Sequence, residues 1–352
     1  MARLGIGVAI GFASAAAPVY IAEMAPPEVR GRLVTFFQLA VTVGILSAYL
    51  VGWAFEPIDG WRWMMGVGIV PAVFLGIGML RMPRSPRWLV MVGREDDARA
   101  TLGRIRVSDA AVDEEIDEIQ RAVAEERGGG WSELREPVVR AALLVGVGLM
   151  IFSQITGINT VIYYAPTIVQ FTGIDSASAA ILAAVGVGVV NVALTIVAIR
   201  VLDRVGRRPL LLGGSAVMAL ALFTLGLAFL GSDEDTFSSV LALSSLMIYV
   251  GAYAVSLGPI FWLINSEIFP QRVRGKAVSI GTTTNWIANF IVALTFLLLI
   301  DALGRTGAFW LYSAITVCTL IFCWRLVPET KGRSLEKITE EFRRRVGVRE
   351  QR

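Results

Sequence analysis

The chain has 352 residues, of which 55% are hydrophobic and only 17% charged, and its mean hydropathy is +0.65; a soluble domain carries roughly 25% charge, so this surface is too apolar for a water-facing globule. Net charge is only +3, and more than a third of the charged residues fall between Arg81 and Arg140, which excludes a nucleic-acid binder with one continuous basic face. Histidine is absent, and Cys318 and Cys323 sit in the last apolar run as packing residues, so a His/Cys metal site and a Ser-His-Asp or Cys-His catalytic unit are excluded too.

Nine segments are long and apolar enough to cross roughly 30 Å of hydrocarbon at about 1.5 Å per residue. They run over 3–24, 33–55, 62–81, 138–169, 177–202, 209–230, 238–264, 277–300 and 307–327, which predicts an all-α, polytopic membrane protein. In the first, Arg3, an apolar run and Ala13-Ser14-Ala15 imitate a secretory signal. Pro18, Tyr20 and Glu23, however, continue into a pattern that recurs later, which favours a span. Between the third and fourth spans, the stretches Asp96 to Ile105 and Val112 to Val123 are amphipathic, with acid-to-arginine pairs at helical spacing. Gly128-Gly129-Gly130 behind them is a linker; a phosphate loop needs a strand before it and Lys-Ser/Thr after it. In the fourth span Gln154 and Asn159 lie about 140° apart on an ideal helix. They converge only if the chain bends near Gly157, and Pro166 offers a second bend.

The loops fix an expected orientation. Those at Arg30-Gly31-Arg32, Arg81 to Arg140, Arg204 to Arg208 and Arg272 to Lys276, with the tail after Pro328, are rich in arginine and lysine. The alternating set, Glu56 to Asp59, Gly173 to Ser176, Gly231 to Thr236 and Asp301 to Arg305, is acidic or nearly uncharged. The basic set, tail included, is therefore expected on the cytoplasmic side of the cell membrane.

The chain also repeats itself. Glu23, Pro26, Arg30 and Gly31 recur as Glu267, Pro270, Arg274 and Gly275, each 244 residues on, and Pro83 to Arg87 is echoed by Pro328 to Arg333 at nearly the same offset. Two copies of one helical unit are a transporter architecture. The second copy has six spans and the first three, so the arithmetic expects roughly 100 residues and three further spans ahead of Met1. A fragment, a misassigned start and a genuine nine-span protein are the readings, in that order. The expected divisions are 1–82, a three-span remnant of the first half; 83–136, a helical insert; 137–328, the six-span second half; and 329–352, a tail.

Two chemistries stand out. Charges gather at the ends of spans on the arginine-rich side: Glu23 with Arg30, Glu267 with Arg274, and Asp203 with Arg207 and Arg208. They suit a gate whose ion pairs form when that side shuts, or simple interfacial anchoring by arginines. Inside the apolar spans are Gln38, Gln154, Asn159, Asn191, Asn285 and Asn289, with Tyr163, Tyr164, Trp262 and Trp286. Uncharged amides and aromatic faces are what a sugar's hydroxyls and C–H faces require. For any single amide the competing reading is hydrogen bonding between helices, the favoured one for Asn289.

With these motifs in order, the chain resembles the sugar-porter branch of the major facilitator superfamily. The resemblance rests on Glu23…Arg30-Gly31-Arg32, Pro83-Arg84-Ser85-Pro86-Arg87-Trp88-Leu89, Gln154-Ile155-Thr156-Gly157-Ile158-Asn159…Tyr163-Tyr164, Asp203-Arg204-Val205-Gly206-Arg207-Arg208, Gly258-Pro259…Trp262…Glu267 and Pro328-Glu329-Thr330-Lys331-Gly332-Arg333. It implies a twelve-helix bundle of which nine helices are present, and a carrier of a monosaccharide (hexose, pentose or polyol) by alternating access. It places sugar contacts on Gln38, Gln154, Asn159, Tyr163, Asn191, Trp262, Asn285 and Trp286, and adds Glu329 and Arg333 to the gate. Departures are Ser153 where the family has a second glutamine, and Arg84 where it has glutamate. The partners implied are a sugar, the bilayer and, in related symporters, a proton; no span here carries an acid at its centre, and no cofactor is implied. Other classes remain open: a sugar-binding sensor or inactive fragment without transport, and a drug exporter of the same superfamily.

Overall fold

The computed structural model describes residues 2–347 apart from 27–28, 129, 175, 231–235 and 334; the side chains of 3, 30–32, 34, 125–128, 203, 271 and 336 also lie outside the description, and with them the expectations placed on Arg30 and Asp203. Every regular element among the described residues is helical. Helices α1 (Ala2–Met24) and α2 (Arg30–Phe55) are the first two crossings, and α3 (Trp61–Gly66) with α4 (Ile69–Arg81) makes the third.

The insert follows as α5 (Pro86–Met91), α6 (Glu95–Leu102) and α7 (Asp109–Gly128). Ser85 caps α5 by accepting the Trp88 N–H at 3.2 Å, and Pro86 takes the first helical position, where a missing N–H costs nothing. Leu89, Ala98, Leu102, Val112 and Ile116 close a small core of their own, which accounts for the amphipathic spacing of the two longer helices. Arg106 pairs with Glu115 and reaches the Met24 carbonyl, tying the insert to the end of α1.

The remaining elements are α8 (Pro137–Ile155), α9 (Ile158–Tyr163), α10 (Ala165–Gln170), α11 (Ala177–Val205), α12 (Arg207–Ala228), α13 (Thr236–Val255), α14 (Leu257–Glu267), α15 (Gln271–Leu326) and α16 (Leu335–Val346). Eight stretches among the described residues are long and apolar enough to cross a membrane. The last, Arg272–Leu326, is 55 residues, about 80 Å of helix and twice what one crossing needs. Gly304 breaks it with φ 71° and ψ 170°, so the nine expected crossings are present. The main core lies among α8 to α16 and includes Leu149, Ile158, Leu211, Tyr249, Phe296 and Phe309. The tail helix α16 was not expected. Ile338 and Phe342, 2% exposed each, join the main core, and Leu335, Ile338 and Phe342 at i, i+3 and i+7 are the signal that marked it.

Candidate functional site

The long fourth span breaks where the sequence allowed. Gly157 takes φ +90°, the left-handed region that other residues avoid, and its Cα faces the Tyr312 ring so closely that a Cβ would lie 3.1 Å from it. The break turns α9 so that Asn159 Nδ2 donates to Gln154 Oε1 at 2.7 Å, closing the 140° gap of the straight helix. Gln154 Nε2 then donates to Asn285 Oδ1 at 2.8 Å, and the Ser153 hydroxyl reaches the same oxygen at 3.4 Å. Three amides from α8, α9 and α15 thus form one chain; Gln154 is 4% exposed and Asn285 3%. One turn further along α15, Asn289 Nδ2 donates to the Tyr163 hydroxyl at 3.4 Å, a hydrogen bond between α15 and α9. Tyr163 keeps its ring exposed.

The other expected contacts lie elsewhere. Gln38 and Trp262 share a cleft with Pro18, Thr35, Pro259 and Leu263; it encloses about 380 Å³ including its open mouth. This cleft joins the first-copy helices α1 and α2 to the second-copy helices α11 and α14. The indole N–H of Trp286 donates to the Ser14 hydroxyl on α1 at 3.1 Å, and Ser14 in turn donates to the Gly11 carbonyl at 2.9 Å. Asn191 is buried on α11, where its backbone carbonyl accepts from Thr195 at 2.8 Å, outside the amide chain. So the structure brings together Gln154, Asn159 and Asn285, pairs Gln38 with Trp262, and leaves Asn191 apart.

At the arginine-rich end, the expected pairing of Glu267 with Arg274 gives way to another. Glu267 Oε1 receives Arg207 Nη2 at 3.2 Å and its Oε2 receives the Thr330 hydroxyl at 2.6 Å, while Arg274 Nε donates to the Phe269 carbonyl at 3.3 Å. Seven residues separate the two, about 10 Å along even an unbroken helix, whereas Arg207 and Thr330 are brought to Glu267 by packing between elements. Glu329 caps α12: it accepts the backbone N–H of Arg207 and Arg208, both at 3.0 Å, where the first-turn donors of a helix have no internal partner. Gly206, φ +102°, lets it in, since a Cβ there would lie 2.8 Å from Glu329 Oε2. Burial by itself would raise the Glu329 carboxyl, but N–H groups of Lys331, Arg207, Arg208 and Thr330 together hold it below its ordinary value. Arg208 donates to the Trp324 carbonyl, Arg333 pairs with Glu341 on α16, and Glu23 sits 4.0 Å from Arg87.

Two residues escaped the sequence reading. Asn265 is 1% exposed, with its Oδ1 unpartnered, wedged beside Gly146 of α8 and Gly281 of α15; its place three residues after Trp262 was the available signal. Tyr49 on α2 donates to the Ile162 carbonyl of α9 at 2.6 Å, and nothing local announces that pairing. Among the described residues no cluster of three His, Cys, Asp or Glu could hold a metal.

Comparison with known proteins shows the family. The profile of the family described as "Sugar (and other) transporter" matches residues 1–342. The chain is 39% identical over 349 residues to the D-xylose transporter of Levilactobacillus brevis, covering 99% of this chain and 76% of that protein. It is 38% identical over 351 residues to the galactose-proton symporter of Escherichia coli K12, covering 99% and 75%. In structure it superposes on the proton:xylose symporter XylE bound to 6-bromo-6-deoxy-D-glucose with a TM-score of 0.80 and 34% identity, over 96% of this chain and 72% of that one. With a matched profile running nearly end to end and relatives this similar, the chain belongs to the sugar-transporter family of the major facilitator superfamily, a family of membrane carriers and not a class of enzymes.

Proposed function

We propose that the chain carries a monosaccharide, a hexose, pentose or polyol, across the cell membrane by alternating access. The observation that carries the reading is the chain of amides Asn159–Gln154–Asn285, spanning three second-copy helices at the broken α8–α9 junction. Its members offer donors and acceptors without charge, which fits a neutral polyhydroxyl compound and offers no counter-charge to an ionic one. Indole faces at Trp262 and Trp286 supply the apolar side, and each touches the first copy, through the Gln38 cleft and through Ser14. A ligand that reaches from the amide chain to either indole would therefore feel the relative position of residues 1–82 and 137–328, the two bodies proposed to rock about it, with 83–136 linking them and 329–352 beyond the last span. The excess of arginine on one set of loops supports a cytoplasmic side for that end and for the C-terminus. A proton gradient is the proposed driving force, by analogy with the symporters the chain is similar to.

Titrating the intrinsic tryptophan fluorescence of the complete gene product, then measuring uptake and exchange of labelled sugar by it in proteoliposomes, tests the reading. Saturable, stereoselective responses to hexoses or pentoses with exchange that an acid-outside gradient drives uphill are the expected outcome. Binding with no exchange would move the assignment to a sensor, and a response to lipophilic dyes with none to sugars would move it to an exporter.

A further inference from the structure

The break between α9 and α10 leaves a specific gap in the backbone hydrogen bonding. Continuing the helix would pair the Ile162 carbonyl with the N–H four residues on, but that residue is Pro166, which has none. The donor comes instead from a helix 113 residues away in sequence: the Tyr49 hydroxyl meets the Ile162 oxygen at 2.6 Å. Tyr49 reaches it because α2 lies tight on α11, where a Cβ on Gly188 would sit 3.1 Å from both the Tyr49 ring and the Leu46 side chain. Tyr49 and Gln38 are eleven residues apart, about 20° apart around α2 and roughly 16 Å along it, so one face of α2 presents both to the second copy.

Resting on the carrier reading above, we infer that Tyr49 is a positioning residue: it latches the broken helix α9 to the first-copy helix α2 by supplying the donor that Pro166 withholds. Through α9 it sets Asn159, and through Asn159 the Gln154–Asn285 chain, so the amide array is built only while α2 is seated. The latch touches the backbone alone and leaves side chains free for ligand. Apart from a secondary share of the Tyr164 N–H, whose main acceptor is Thr160 at 2.9 Å, the Ile162 carbonyl has no donor at this junction, so releasing α2 leaves it poorly satisfied and the two halves separate at this end at a cost.

Tyr49→Phe removes the hydroxyl and keeps the ring against Gly188. Hydrogen–deuterium exchange across residues 158–170, a readout that needs no sugar, is expected to quicken about three- to tenfold, with exchange in α12 unchanged. Pro166→Ala restores the internal donor, so Tyr49→Phe in that background is expected to change exchange less than twofold. Equal effects in both backgrounds, or no effect in either, overturn the latch. Sugar titration of the same variants separates the two levels of inference. If Tyr49→Phe loosens 158–170 and no variant binds sugar, the latch stands and the carrier reading falls. If sugar binds and 158–170 does not respond, the reverse holds.

Discussion

Gln154 is the hub of the site because it donates and accepts at once: its Nε2 needs the Asn285 oxygen, and its Oε1 needs the Asn159 amide. No one of the three amides can be turned over alone without setting donor against donor or acceptor against acceptor. Asn285→Leu therefore leaves a buried Nε2 without a partner, at a cost of about 1–3 kcal/mol. The expected result is a lower melting temperature together with sugar affinity reduced roughly five- to tenfold or more, both read by intrinsic fluorescence. Gly157→Ala acts on the same array through the backbone. At φ +90° with the Tyr312 ring close by, the added methyl costs about 1–2 kcal/mol and pushes α9 off Gln154. Melting and affinity should fall together in that variant, and Gly157→Asn, which tolerates the left-handed region better, should recover part of the stability.

Elements meet at the charged end through one carboxylate. Glu329 completes the N-terminus of α12 with N–H bonds that the helix cannot make for itself, and the tail from Pro328 is docked by it. Its native pKa lies below its unfolded value, so its stabilising contribution is full above the ordinary carboxylate range and is lost as pH falls through the depressed native value. Thermal melts of the wild type and Glu329→Gln should accordingly differ at neutral pH and converge in acid; a gap that stays constant with pH would contradict the capping role. Gly206→Ala should mimic the loss at every pH by driving a methyl against the carboxylate. How much of this was legible depends on distance along the chain. The break near Gly157 could be read because a glycine and two amides five residues apart are a local conflict. The turn of Glu267 toward Arg207 and Thr330, 60 and 63 residues away, and of Tyr49 toward Ile162, could not, because the partner is chosen by packing between helices. The helical spacing of Leu335, Ile338 and Phe342 is local and legible, but it is set among the charges that dominate the tail.

The molecule as a whole is lopsided in its packing. The most apolar windows of the crossings within 4–81 are 0%, 6% and 0% buried by protein, while those from Pro137 onward are 22% to 56% buried. Phe12, Phe74 and Leu80 are 75%, 74% and 88% exposed, so within this chain the first three crossings leave most of their apolar surface uncovered by protein. Lipid is as apolar as leucine, so those side chains lose nothing by facing it, but they also gain no specific packing that would fix one helix on another. What holds α1 is polar and sparse: Ser14 with Trp286, Tyr20 with the Pro83 carbonyl at 2.9 Å, and Glu23 near Arg87. Stability should therefore divide along the chain. In mild detergent, amides of residues 2–24 and 69–81 are expected to exchange at least about tenfold faster than those of α12 and α13, a gap of roughly 1.4 kcal/mol in local opening. Short-chain detergent should release the first three crossings to protease while the six-span half keeps its near-ultraviolet circular dichroism. A single cooperative loss of all nine would mean that the packing of α2 on α11, together with the polar ties between the copies, holds the two parts as one unit, with the Tyr49 and Trp286 bonds the first to test as its source.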